Sequence, residues 1–262
     1  GVVGNANLRP EKTIQGELGL QQQISYNMAL DITAYFRDIR DLAGTRSEEI
    51  TLFGGSASYN RLENSDFAYV RGLVLSLSMI ETNGFSASLD YTFQIAKGSA
   101  SDPQQARNAI AGGSLPEIQL TPLDWDQRNT VNMSLAYDRA NWGISGIGQF
   151  GSGLPYTPLS TEDISSLVLN SGKKPLTWNV DLKGYFIPRD GLRLFIRAEN
   201  IFDRLNPYTV YDDSGVADFT RWENIAKSQN TGEPINSISK WFLNETFYSN
   251  PRRIELGLSY VF

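Results

Sequence analysis

The residues best suited to chemistry lie in the last third of the chain. Asp181, Lys183, Arg193, Arg197, Glu199, Arg253 and Glu255 all occupy alternate positions of three apolar–polar segments. In extended chain that spacing sets all seven charges on one face. Such a face could dock another part of the protein or line a path for an anionic ligand. A wet wall of mutual ion pairs is the simpler account, and solvated pairs are individually weak. Between these segments, "YDDSGVADFTRWEN" (211–224) and "SKWFLNETFY" (239–248) bring Trp222, Trp241, Phe242 and Tyr248 into one long connection, and Trp125 closes another. These rings could stack on a sugar or an aromatic ligand. Asp212, Asp213 and Asp218 carry the oxygen ligands that Ca²⁺ prefers. For both sets, ordinary loop packing is the simpler explanation.

Other chemistry is narrowed by what the chain lacks. Its 262 residues include no cysteine and no histidine. That removes disulfides, thiolate nucleophiles and zinc–thiolate sites, and with them the usual general base and commonest metal ligand. No carboxylate pair and no Ser–Lys arrangement sits on a recognisable catalytic turn. No enzyme, cofactor or metal is therefore expected. A formal charge of -6 argues against nucleic acid as a partner. "GIGQFG" (146–151) fits a dinucleotide-binding glycine pattern, but its glycines fall inside a strand and "SGLPYTP" follows where a helix would be needed. Crowding at a sheet surface explains small residues there better. "NMS" and "NET" match the glycosylation acceptor pattern and are read as chance. No run reaches the roughly 18 apolar residues of a membrane helix, and "GVVGNANLRPEK" is not a secretory signal.

The elements that would position these residues are strands. Nine segments alternate apolar and polar residues with period two. "TIQGELGLQ", "MALDITAYFR", "GLVLSLSM" and "FSASLDYTFQI" are followed by "TVNMSLAYD", "WGISGIGQF", "LTWNVDLKGYF", "LRLFIRAEN" and the closing "RRIELGLSYVF". At about 9 to 13 residues each, they exceed the usual strand and suffice to cross a hydrocarbon core when tilted. A soluble antiparallel sandwich would also give one wet face per sheet, but with shorter strands. The connections discriminate. Short ones (24–27, 81–84, 139–141, 188–191) alternate with long ones (roughly 40–65, 99–126, 152–174, 203–248), the pattern of an outer-membrane barrel. Tyr26, Tyr137, Trp142, Trp178, Phe186, Tyr260 and Phe262, near strand ends, suit interfacial girdles.

In that arrangement the short turns face the periplasm and the C-terminus lies on the periplasmic side. Nine is an odd number, and an open sheet would leave unpaired backbone groups in lipid. Residues 1–262 are therefore expected to be the C-terminal portion of a larger antiparallel transmembrane β-barrel.

Several motifs then converge on one family. "NLRPEKT" (7–13), "VRGLVLSLS" (70–78), "LDWDQRNT" (123–130), "AENIFDRLNPY" (198–208) and the terminal "RRIELGLSYVF" resemble, in the same order, motifs of the C-terminal half of TonB-dependent outer-membrane receptor barrels. Val74 and Asn129 depart from the family's common Glu and His.

The resemblance implies a 22-stranded plugged barrel with its plug and earlier strands upstream of Gly1, and uptake of a scarce ligand (siderophore, cobalamin, glycan or peptide) driven by TonB acting on the plug. It implies that the charged face would meet the plug or an anionic ligand. It also implies that Leu256, Leu258, Tyr260 and Phe262 form the signal read by the barrel-assembly machinery. The alternatives are a structural barrel component of an envelope complex without transport, and a soluble β-sandwich binding module.

Overall fold

The structure is a computed structural model that describes residues 2–45, 50–55, 57–99, 120–159, 169–230 and 237–260. Nine long strands carry the fold: β1 (Lys12–Ser25), β2 (Met28–Thr45), β3 (Ala57–Thr82), β4 (Phe85–Gly98), β5 (Asn129–Asp138), β6 (Trp142–Gly151), β7 (Thr177–Arg189), β8 (Leu192–Glu199) and β9 (Arg253–Tyr260). They pair antiparallel in simple sequential order, so the sheet is a meander with β1 at one edge and β9 at the other. All nine strands expected from the alternation are present among the described residues, with the ends of the last three expected segments (Leu176, Asn200, Arg252) just beyond their strands and residues 261–262 outside the described residues.

The register keeps two chemically opposite faces in line across the sheet. One lateral row reads Leu20, Ile32, Leu75, Tyr91, Val131, Phe150, Trp178. The adjacent row reads Gln21, Asp31, Ser76, Asp90, Asn132, Gln149, Asn179. A slip of one residue would exchange these rows between faces, so burying either face fixes the register.

Among the described residues the buried apolar side chains are only Ala68, Val70, Ala96, Leu123, Val210 and Ala217. Meanwhile Leu18 is 79% and Leu256 80% exposed on the apolar face. Among the described residues no second sheet covers that face, as a sandwich would require. An apolar surface of this extent is not sustained in water; it is the surface of a sheet that meets hydrocarbon. No helix among the described residues is long and apolar enough to cross a membrane.

Short turns link β1–β2, β3–β4, β5–β6 and β7–β8 at one end. At β3–β4, Asn83 and Gly84 both have positive φ (53° and 87°), as a tight hairpin between twisted strands demands. A Cβ on Gly84 would come within 2.1 Å of the Asp138 carbonyl oxygen.

The other end departs from expectation in two places. The connection expected over 40–65 is mostly strand, since β2 runs to Thr45 and β3 begins at Ala57. Irregular pairing between Ile39 and Ala43, with Asp41 at φ 59°, breaks the alternation while the backbone pairing continues. The connection over 203–248 contains helix α1 (Arg221–Gln229), capped by Thr220, and helix α2 (Ile238–Phe242), capped by Ser237.

The face assignment generates a direct test. Leu77 pairs with Leu30 and Leu89 on the apolar face, and Ser78 pairs with Ala29 and Ser88 on the polar face. Leu77→Arg should cost about 2–4 kcal/mol of unfolding free energy in lipid vesicles. Ser78→Arg should change it by less than about 1 kcal/mol. Equal losses would contradict the assignment.

Candidate functional site

The seven charges singled out in the sequence do share the polar face of β7, β8 and β9. Cross-strand register sets Glu199 opposite Arg253, and in the next row Lys183 opposite Arg197 and Arg197 opposite Glu255. Like charges thus face one another at Lys183 and Arg197, which is unfavourable unless other partners intervene. They do so in part. Arg197 reaches Glu255 at 3.4 Å, and Arg253 also contacts Glu255. Asp181 Oδ1 accepts from the Asn200 backbone N–H (2.8 Å) and from Asn179 Nδ2 (2.7 Å). Arg193 lies 4.1 Å over the Tyr185 ring, and the Tyr185 hydroxyl donates to Asp138 at 2.8 Å. Among the described residues, Lys183 and Glu199 form no ion pair. The expected wall of mutual salt bridges is therefore incomplete. Lys183 is exposed on this face.

The loop aromatics separate into two groups. Trp241 is 85%, Trp222 52% and Trp125 47% exposed. Phe242 and Tyr248 are half-buried and serve packing instead. The Phe242 carbonyl accepts from the Tyr211 hydroxyl, the Tyr211 ring packs on Phe247 at 5.0 Å, and Tyr248 bridges to Pro207. Tyr211, which sequence reasoning passed over, centres this small cluster. Burial raises its phenol pKa, with the Glu223 and Asp213 charges adding to the shift.

Asp213 is committed to α1: its carboxylate accepts from Thr220 Oγ1 (2.8 Å) and the Arg221 N–H (2.7 Å). No group of three metal-binding side chains occurs among the described residues. Hydrogen bonding to Lys227, then to Ser239 of α2, holds Glu223 below the usual carboxylate range. This connection is tied to the neighbouring one between β6 and β7 by Leu159 N–H to the Asp212 carbonyl (2.9 Å) and Lys174 Nζ to the Tyr208 carbonyl (3.0 Å). It is a folded cap that leaves Trp222 and Trp241 facing outward.

Three of the motifs singled out in the sequence form clasps at the long-loop end, while "VRGLVLSLS" lies within β3 and residues 253–260 of the terminal motif form β9. In "LDWDQRNT", Asp126 is 2% exposed; its carboxylate accepts from the Ala96 N–H of β4 and from Arg128 Nε, both at 2.7 Å. Gln127 Nε2 donates to the Ser152 carbonyl (2.9 Å), and Asp124 accepts from Asn170 (2.7 Å).

In "AENIFDRLNPY", buried Asn206 brackets Trp178 of β7: its Oδ1 accepts from the Trp178 N–H (3.0 Å) and its Nδ2 donates to the Trp178 carbonyl (2.8 Å). Asp203 accepts from the Arg252 N–H (2.8 Å) just before β9 begins. In "NLRPEKT", the Arg9 N–H donates to Asn64 (2.7 Å) and its guanidinium pairs with Asp41 (3.2 Å). Buried polar groups must find partners. Here the partners are strand ends that would otherwise leave the ladder unpaired.

Leu256, Leu258 and Tyr260 of β9 lie on the apolar face and are exposed. Phe262, expected beside them, lies outside the described residues.

Asp126→Ala would leave the Ala96 amide unpaired and strip Arg128 of its carboxylate. A loss of about 1–3 kcal/mol is expected, together with faster amide exchange at Ala96. Unchanged exchange there would show that the clasp does not hold β4.

Comparison with known proteins agrees with this architecture. The family model described as TonB dependent receptor-like, beta-barrel, matches residues 1–201. Comparison with curated protein sequences gives no match. Among solved structures, the outer membrane transporter YddB from Escherichia coli aligns with a TM-score of 0.64 at 12% identity, over 99% of this chain and 34% of that one. The pyoverdine outer membrane receptor FpvA from Pseudomonas aeruginosa PAO1, bound to pyoverdine, aligns with a TM-score of 0.60 at 12% identity, over 97% of this chain and 30% of that one. The ferric-catecholate import receptor Fiu from E. coli K12 aligns with a TM-score of 0.54 at 14% identity, over 81% and 26%. At such identities the likeness is one of fold, and the chain spans about a third or less of each of these proteins. With the family model covering most of its length and the sheet built as described, the chain belongs to the TonB-dependent receptor β-barrel family.

Proposed function

We propose that residues 1–262 form the C-terminal strands of an outer-membrane receptor barrel, and that the whole protein takes up a scarce ligand in a TonB-dependent way. The observation that carries this reading is the sheet itself. Nine strands of crossing length present one face to lipid and one to water, and a folded cap stands at one end only. The structurally similar YddB, FpvA and Fiu are a transporter and two receptors, which favours uptake over catalysis.

In this reading the edges of β1 and β9 meet strands from the rest of the barrel, which closes the ladder. The capped end faces outward and the short turns face the periplasm, with the C-terminus there. Lys183, Arg193, Arg197 and Arg253 address the plug or an anionic ligand in transit. TonB acts through the plug. Trp222, Trp241 and Trp125 are the rings available to a ligand. Leu256, Leu258, Tyr260 and Phe262 are read by the assembly machinery. The ligand class stays open among siderophores, cobalamin, glycans and peptides.

A structural component without transport needs no cap with outward tryptophans; this favours the receptor over that second reading. The test is growth of the source bacterium on a panel of ferric siderophores, cobalamin, glycans and peptides. Deleting the receptor and deleting TonB should abolish growth on the same panel member. In the intact receptor, Trp222→Ala with Trp241→Ala should weaken binding of that compound about tenfold or more. A receptor deletion that impairs growth on no panel member would support the structural component instead.

A further inference from the structure

On four adjacent strands a cation follows the outward apolar run at the long-loop end, at the next outward position on three of them and at the second on β2. On β4 the run from Phe85 ends at Ile95, and Lys97 is the next outward position. On β3 the run from Met79 ends at Leu73, and Arg71 follows. On β2 it ends at Phe36, followed by Asp38 and Arg40; on β1 it ends at Ile14, followed by Lys12. The direction of these side chains is fixed by their neighbours. Val70 and Ala96 point the opposite way and are buried with Leu123 on the polar side.

The depth is set by strand geometry. From Phe85 to Ile95 the chain advances about 33 Å at about 3.3 Å per residue. Tilted by about 40°, that is roughly 25 Å of height, the thickness of a barrel's apolar band. Lys97 and Arg71 therefore stand where hydrocarbon gives way to headgroups.

Two of the four cations are already engaged. Arg40 pairs with Asp38 at 2.8 Å, and Lys12 approaches Asp41 at 3.8 Å. Arg71 and Lys97 form no ion pair among the described residues. Register puts Lys97 directly opposite Tyr69 and Arg71 directly opposite Ile95, so the two cations are diagonal neighbours about 7–8 Å apart at the backbone. The Arg71 guanidinium lies 5.4 Å from the Tyr69 ring centroid. The nearest carboxylate in register, Asp38, faces Tyr69 from β2 and is held by Arg40.

The opposite end differs. There Arg139 and Arg189 lie over Tyr137 and Tyr260 at 4.9 and 5.8 Å, on separate parts of the sheet. Each is a single cation on its own ring, not a pair about one ring.

We propose that Arg71 and Lys97, framed by Tyr69, bind the phosphate of an anionic lipid headgroup in the leaflet at the long-loop end. The partner follows from position: a phosphate at that depth, continuous with the apolar face, belongs to a lipid. Arg71 supplies a planar fork of donors and Lys97 a mobile point charge.

The test uses the intact receptor containing this chain, purified in neutral detergent and titrated by native mass spectrometry. The probes are phosphorylated lipid A and the same lipid A stripped of phosphate. The phosphorylated form should bind about tenfold or more tightly, from roughly two basic contacts. Arg71→Gln with Lys97→Gln should abolish that preference, and Arg139→Gln should leave it intact. Heat-modifiable gel mobility checks that each variant is folded.

Two results would overturn the site: a preference that survives the double substitution, or displacement of the lipid by millimolar inorganic phosphate. The proposal rests on the membrane-spanning reading. A receptor that folds in detergent yet shows no phosphate preference fails the site without failing the barrel.

Discussion

The constraint on which the rest depends is that a strand in hydrocarbon has no water to satisfy its backbone. Every N–H and C=O must pair with a neighbouring strand. Nine long strands, joined by eight antiparallel ladders, meet that demand over the interior of this sheet. Once pairing is obligatory, the side chains have only two directions. One row of seven strands becomes Leu20 to Trp178, and the next becomes Gln21 to Asn179. The small buried core, the register and the alternating connections all follow from that division.

The same constraint explains why so many polar contacts gather at the long-loop end. There the ladder stops and the chain must turn away without leaving orphans. Asp126 takes the amide of Ala96, Asn206 brackets Trp178, and Asp203 takes the amide of Arg252. Within the sheet, space is handled by opposing large and small residues. Tyr35 crosses β3 above Gly72, where a Cβ would lie 2.3 Å from its ring, and its hydroxyl reaches Gln94 of β4 at 3.0 Å. Phe195 covers Gly257 in the same way on β9. Such pairs brace the polar wall while leaving room in front of it.

The strands were legible because their period is two and the contrast between faces is large. Their length and the alternation of connections carried the barrel reading, and the motif order carried the family. The extension of β2 and β3 toward Thr45 and Ala57 was not legible. Beyond the lipid band, pairing continues through the backbone while the outward face turns polar, so the hydrophobic pattern that reports a strand fades at Asp38 and Arg40. The clasps were visible only as motifs, because their function lies in bonds between segments distant in sequence. For the site, the shared face of Lys183, Arg197 and Glu255 was readable from parity. The division of the loop aromatics was not. Nothing local distinguishes exposed Trp241 from half-buried Phe242 beside it, or marks Tyr211 as the ring that organises the cap.

The division of faces is the central claim, and the absence of cysteine from these 262 residues allows it to be measured residue by residue, once any cysteine elsewhere in the receptor is replaced. Single cysteines at 73 through 78 of β3, spin-labelled in the lipid-reconstituted receptor, would report collision with oxygen and with a water-soluble nickel chelate. Labels at 73, 75 and 77 should favour oxygen and those at 74, 76 and 78 the chelate, in strict alternation. Uniform access of the chelate to all six positions would contradict it.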